Sequence, residues 1–341
     1  MDRKEEIIAL QNEIMQGLLR QRMNTIGDDL WGQKPAAPVP GKQAPKAAAP
    51  QEAKKPGKQK EPEEKEAPPE KIEDLKKELD GYIGLDTVKG EVNSLINWIQ
   101  ICKLRKENGL PTPDLSLHMV FSGNPGTGKT MIARLMARIY KSLGILSKGQ
   151  LVEVDRSGLV AGYVGQTAIK TQEVIEKAKG GMLFIDEAYT LTSRGANDFG
   201  QEAVDTVLKA MEDNRDDLVV IVAGYIELME EFIHSNPGLE SRFNRFLNFP
   251  DYTLEEMTDI FLMRCSQSGY TLSDDAKAPL HDILREKSAD IKGFGNARGV
   301  RNLFEKAIAA QADRLSQSKE PLTKETLMLL TEADLRTAAG A

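Results

Sequence analysis

The run Gly123-Asn124-Pro125-Gly126-Thr127-Gly128-Lys129-Thr130 places three glycines, a lysine and a hydroxyl at a spacing that suits phosphate chemistry. The glycines let the backbone curl so that its N–H groups surround phosphate oxygens, and a following helix N-terminus adds partial positive charge. Lys129 is placed to reach the β- and γ-phosphates, and Thr130 to hold Mg²⁺ through its hydroxyl. The expected nucleotide-binding run extends from Gly123 to Met131. A second reactive pair, Asp186-Glu187, follows the apolar Met182-Leu183-Phe184-Ile185. A carboxylate at the end of a buried neighbouring strand lies where the Mg²⁺ of a P-loop sits, so Asp186 is expected to bind it, mostly through water. Glu187 is then the general base that orients and polarises the attacking water. A nucleotide phosphate and Mg²⁺ are the ligands this pairing predicts, a combination that suits kinases, GTPases and motors alike.

These groups need rigid elements behind them. His118–Ser122, Leu151–Val154, Met182–Ile185 and Leu218–Ala223 read as buried strands, and Met131–Ala137, the stretch up to Lys179 and Gln201–Asp213 as helices. Strands alternating with helices predict an α/β fold, a parallel sheet sandwiched by helices. From Thr253 on no strand pattern remains, and helical segments over 253–268, 273–289, 298–316 and 322–337 predict a small all-α domain. Boundaries are therefore expected at 71–250 and 251–341.

Residues 1–31 carry an apolar helical stripe (Ile7, Leu10, Ile14, Leu18) beside a face of mixed charge, which fits docking onto a partner groove, another copy or the chain's own domain better than a membrane surface. Residues 32–70 hold nine of the sixteen prolines and eight alanines, and lack aromatics. Such composition cannot offset the entropy of ordering, so a disordered linker is expected. The lysines concentrate before Lys60 and the glutamates after it.

The 341 residues have room for two domains and a tail, and 40% hydrophobic content predicts that most of the chain folds. The net charge of −7 makes nucleic acid an unlikely ligand. Two lone cysteines and three histidines without ligand spacing point away from disulfides and zinc. No apolar run is long enough to span a membrane, no secretory signal is visible, and a reducing cytoplasmic compartment is expected.

From Ile72 onward the sequence resembles the AAA+ ATPases of the CbbX / stage V sporulation protein K (CfxQ-like) family. Beyond the P-loop and Asp186-Glu187, the resemblance rests on Gly81-Tyr82-Ile83-Gly84-Leu85 with Val88-Lys89, on Asp198-Phe199-Gly200-Gln201-Glu202-Ala203, on Asn236-Pro237-Gly238-Leu239-Glu240-Ser241-Arg242-Phe243 and on Gly293-Phe294-Gly295-Asn296-Ala297-Arg298. It implies that Ile83 and Gly84 border the adenine. It also makes Arg242 the arginine finger that reaches the nucleotide of an adjacent subunit, with Arg245 as the second candidate. Arg298, with Arg301 one turn on, becomes the sensor-2 residue that the helical lid holds over its own nucleotide. Leu159-Val160-Ala161-Gly162-Tyr163-Val164-Gly165 resembles the family's first pore loop, with Tyr163 and Val164 gripping an extended polypeptide. Where many AAA+ proteins carry a polar sensor-1 residue, this chain has Ala223-Gly224-Tyr225, leaving Tyr225 as the candidate.

A homo-oligomeric ring, a hexamer, that remodels or threads a protein substrate is the function this implies. The alternatives are a nucleotide-switched scaffold presenting residues 1–31 to a partner, a nucleic-acid motor and an activase of red-type Rubisco.

Overall fold

The computed structural model describes residues 70–113, 116–163, 165–192, 198–319 and 321–340. The expected docking helix and nearly all of the expected linker lie outside these residues, as does Val164. The last residue assigned to the linker, Glu70, is held: its carboxylate accepts from Arg138 Nε and Nη2 at 2.8 and 2.6 Å, and its carbonyl accepts from Ser142 Oγ at 2.7 Å.

Helices α1 (Ile72–Asp80) and α2 (Asp86–Glu107) precede strand β1 (Met119–Gly123) and helix α3 (Lys129–Ser142). Strand β2 (Leu151–Val154), the short helix α4 (Arg156–Leu159) and α5 (Gln166–Ala178) follow. Next come β3 (Met182–Ile185), a 3-10 turn over Ala188–Thr192, α6 (Gly200–Asp213) and β4 (Val219–Gly224). Helices α7 (Ile226–His234) and α8 (Pro237–Arg242) lead into β5 (Arg245–Phe249). All five strands are parallel, in the order β2-β3-β4-β1-β5.

Strand alternation divides the core into two layers. Met119, Phe121, Phe184 and Ile221 face α1, α2 and α3, whereas Val120, Leu183, Ile185 and Val222 face α5, α6 and α7. The four expected strands are present, β1 and β4 shifted by one residue. The fifth, β5, went unread because Arg245-Phe246-Leu247-Asn248-Phe249 buries only alternate residues at the sheet edge, so it lacks the continuous apolar run of the central strands.

The lid comprises α9 (Leu254–Gln267), α10 (Lys277–Ser288), the single turn α11 (Ile291–Phe294) and α12 (Asn296–Ser316), followed by α13 (Lys324–Met328) and α14 (Glu332–Ala339). Thr253 and Glu256 form a reciprocal capping box that starts α9. Phe261 and Tyr270 both pack edge-on against Phe304, with centroids 5.7 and 5.9 Å away. The lid is helical as expected, with one departure. The helix expected over 322–337 is interrupted at Leu329–Leu330, which pairs in parallel with Thr271–Leu272. Two-residue strands leave no periodicity to read.

Candidate active site

Because β1 and β3 flank β4 and all run parallel, the segments after them emerge on one edge of the sheet. There a cleft is lined by Gly123, Pro125, Gly126, Gly128, Lys129, Thr130 and Met131 from the phosphate loop and by Asp186 and Glu187 after β3. Gly224 and Tyr225 border it after β4, and Ala297, Arg298 and Arg301 reach it from the lid. Residues separated by more than a hundred positions thus converge where the sequence placed the phosphate chemistry.

The loop is built for close backbone approach. Gly126 and Gly128 have φ of 75° and 95°, the left-handed region that side chains avoid. The Thr127 hydroxyl, fully buried, donates to Asn124 O at 2.8 Å and closes the curl. Lys129 Nζ donates to Gly123 O and Asn124 O, both at 2.8 Å, so its ammonium already lies over the loop. Burial pushes the Lys129 ammonium down to about 8, with Asp186 pulling upward and Arg298 adding to the depression.

Glu187 sits at φ 48°, an uncommon conformation for a residue with a side chain, and such strain concentrates where function fixes it. The turn is held because Thr190 donates to Glu187 O from its N–H at 2.9 Å and from its hydroxyl at 2.7 Å. Asp186 Oδ1 accepts from the Glu187 N–H at 3.1 Å. The two carboxylates therefore share one fixed turn beside Lys129 and Thr130. A hydroxyl and a carboxylate are hard oxygen donors, so Thr130 and Asp186 fit Mg²⁺ chemically.

Tyr225 borders the cleft, and its ring pairs with that of Tyr189 at 6.2 Å. Burial first, then the nearby Glu187 carboxylate, push the Tyr189 hydroxyl up to about 12. Gly224 is required here because a Cβ would meet the Tyr189 ring at 2.7 Å.

Ile83 and Gly84 are not among the lining residues. Ile83 packs on the core, and the neighbouring Leu85 backs the loop, its Cδ1 lying 3.4 Å from where a Cβ on Gly128 would be. Tyr252, Arg134 and Glu153 line the cleft and were missed. Arg134 lies one turn beyond Thr130 on α3 and pairs with Glu153 on β2 at 2.6 Å, a spacing the sequence did carry.

Arg242 lies at the end of α8 and is absent from the lining of its own chain's cleft. Its Nη2 rests 3.3 Å from Glu212 Oε2 and its Nη1 3.3 Å from Gly238 O. Beside it, burial and then the Arg242 charge drive the His118 imidazole down to about 4, so His118 is neutral and its Nδ1 accepts from the Val220 N–H at 3.0 Å. Arg245 is committed inward, with its guanidinium 4.7 Å over the Trp98 ring and its Nε donating to Ser116 O.

Tyr163 is 74% exposed on the loop between α4 and α5. The loop's base is fixed: Ala161 N–H donates to Thr167 Oγ1 at 3.0 Å, and Lys170 Nζ donates to Ser157 O and Val160 O at 2.6 and 3.0 Å.

Residues 119–251 match the family described as "ATPase family associated with various cellular activities (AAA)", and residues 253–341 match the AAA lid domain. The chain is 42% identical to stage V sporulation protein K of Bacillus subtilis over 267 residues, 77% of this chain and 82% of that protein. It is 42% identical to Protein CbbX of Cereibacter sphaeroides, over 78% of this chain and 85% of that one. It is 41% identical to the chloroplastic ribulose bisphosphate carboxylase/oxygenase activase of Cyanidioschyzon merolae, over 77% of this chain and 89% of that protein. The crystal structure of the FIGL-1 AAA domain superposes with a TM-score of 0.54 at 18% identity, covering 77% of this chain and 82% of that one, which shows the shared fold. With the phosphate loop, the Asp186-Glu187 turn and the lid around one cleft, the chain belongs to the AAA+ ATPases of the CbbX and stage V sporulation protein K type, enzymes that hydrolyse ATP.

Proposed function

We propose that this protein works as a hexameric ring that uses ATP hydrolysis to remodel a protein substrate in its central pore, in the cytoplasm. The carrying observation is a division of labour within one chain. Arg242 stands away from its own cleft, and Tyr163 projects 74% exposed from a loop whose base is pinned. A finger that does not serve its own nucleotide fits a neighbour's, and an exposed aromatic on a fixed base fits a paddle.

In this reading Lys129 turns from its own carbonyls to the β- and γ-phosphates. Thr130 and Asp186 would hold Mg²⁺, which when bound would supply positive charge against the phosphate oxygens. Glu187 takes a proton from the water that attacks the γ-phosphorus, and ADP leaves with the electrons of the broken P–O bond. Arg242 exchanges its loose contact with Glu212 for the γ-phosphate of the adjacent subunit, where its fork stabilises spreading negative charge. Arg298 closes over the nucleotide with the lid.

The turn at Glu187 also has a path to the paddle. Glu187 leads into the Ala188–Thr192 turn, whose Thr190 carbonyl accepts from Arg156 Nη1 at 2.5 Å. Arg156 begins α4, which leads to Tyr163, and its Nη2 is tied to Asp198 Oδ1 at 2.6 Å. A change at the hydrolytic turn therefore reaches the paddle through two hydrogen bonds and one helical turn.

The test is Tyr163→Ala together with Glu187→Gln. Glu187→Gln held in ATP is expected to trap a protein client in a pull-down, and adding Tyr163→Ala is expected to release it while Tyr163→Ala alone still hydrolyses ATP. Unchanged trapping without Tyr163 would support the scaffold alternative instead. The 41% identity to an activase favours one second reading, in which the client is Rubisco. ATP-dependent reactivation of an inhibited red-type Rubisco tests it directly.

A further inference from the structure

Three polar side chains from three segments meet at the rim of the phosphate loop. Asp251, just after β5, accepts from Asn124 Nδ2 at 2.9 Å with each of its two oxygens. Its Oδ1 also accepts from Asn296 Nδ2 at 2.8 Å. Asn296 opens α12, two residues before Arg298, and is fully buried at φ 52°. Its amide is oriented without ambiguity, because Nδ2 also donates to Pro125 O at 3.3 Å while Oδ1 accepts from the Tyr252 N–H at 3.0 Å. The backbones touch as well: Ala297 N–H donates to Gly126 O at 3.2 Å, and a Cβ on Gly126 would collide with Gly295 O.

We propose that Asp251 is a positioning residue that locks the lid to the phosphate loop, and that ATP affinity is set by Asn124 and Asn296 bonding to it at the same time. An acceptor-only group is needed, since both partners present N–H donors, and a carboxylate offers enough lone pairs for both. Moving the lid breaks the Asn296 bonds and loosens Asn124, Pro125 and Gly126 together; conversely, phosphates that order the loop favour the locked lid. This deepens the function proposed above and rests on its placement of ATP at this cleft.

The test is a double-mutant cycle read by equilibrium binding of Mg²⁺-ATP in a Glu187→Gln background, with thermal unfolding alongside. Asn296→Gly is used because glycine keeps the left-handed backbone while removing the amide. Asn124→Ala and Asn296→Gly are each expected to weaken ATP about five- to tenfold. Their combination is expected to be no weaker than Asp251→Ala alone, well short of the product of the singles. Multiplying effects overturn the proposal, as does an Asp251→Ala variant that melts earlier yet binds ATP normally. Arg298→Ala is run in parallel: if it alone leaves ATP binding unchanged, the sensor-2 reading fails and the lock is still decided by the cycle.

Discussion

Raising the pH from 7 to 9 should weaken ATP binding through Lys129. With its ammonium near 8 in the ligand-free protein, the charged fraction falls from about nine-tenths at pH 7 to about half at pH 8 and about a tenth at pH 9. Phosphates favour the ammonium and raise its pKa on binding. If only the charged form binds, the dissociation constant for ATP rises about tenfold from pH 7 to 9, or about 1.4 kcal/mol. Binding near pH 8 should then take up about half a proton, measurable by calorimetry in buffers of different ionisation enthalpy. Unfolding cannot mimic this. The folded pKa lies below the unfolded one, so between pH 8 and the ordinary lysine value the unfolded chain binds the extra proton. The ligand-free fold therefore gains stability from Lys129 as pH rises through that window. Lys129→Arg keeps its charge throughout and should flatten the profile. A flat profile in the unsubstituted protein, or the same slope in Lys129→Arg, would refute the reasoning.

Gly126→Ala should impair ATP binding and lid closure together, because φ is 75° there and the added methyl meets Gly295 O; an unaltered ATP titration would contradict this. Arg314→Ala should destabilise the lid by about 2 kcal/mol, seen as an earlier denaturant transition, because it takes away the ion-pair partner of the buried Asp334 carboxylate and leaves it only the Thr331 N–H and hydroxyl, both at 2.9 Å. The Asp334 side chain is 1% exposed and receives Arg314 Nε and Nη2 at 2.8 and 2.9 Å.

The parts of the site legible in the sequence were those whose chemistry is local. Gly123–Thr130 and Asp186-Glu187 each carry their function in adjacent residues, and the strands beneath them are continuous apolar runs. What escaped depends on contacts between distant segments. Asp251 and Asn296 are ordinary polar residues until β5 and α12 bring them together across 45 positions. Edge strand β5 alternates weakly and ends in the segment that holds Asp251. Only the resemblance put Arg242 ahead of Arg245 in the sequence, because their physical difference lies in their surroundings: Arg242 makes 3.3 Å contacts with the exposed Glu212 and with Gly238 O, and Arg245 stacks on Trp98.

The central claim is that one chain's nucleotide site is completed by the next chain's Arg242. Mixing two inactive variants tests it most directly. Lys129→Ala removes the phosphate ligand and leaves a working finger, while Arg242→Ala removes the finger and leaves a working cleft. Each alone should be nearly without ATPase activity, and an equimolar mixture, after subunit exchange, should recover about a quarter of normal activity, the fraction of interfaces that pair an intact cleft with an intact finger. No recovery at any ratio, or normal hydrolysis by Arg242→Ala alone, would contradict the account.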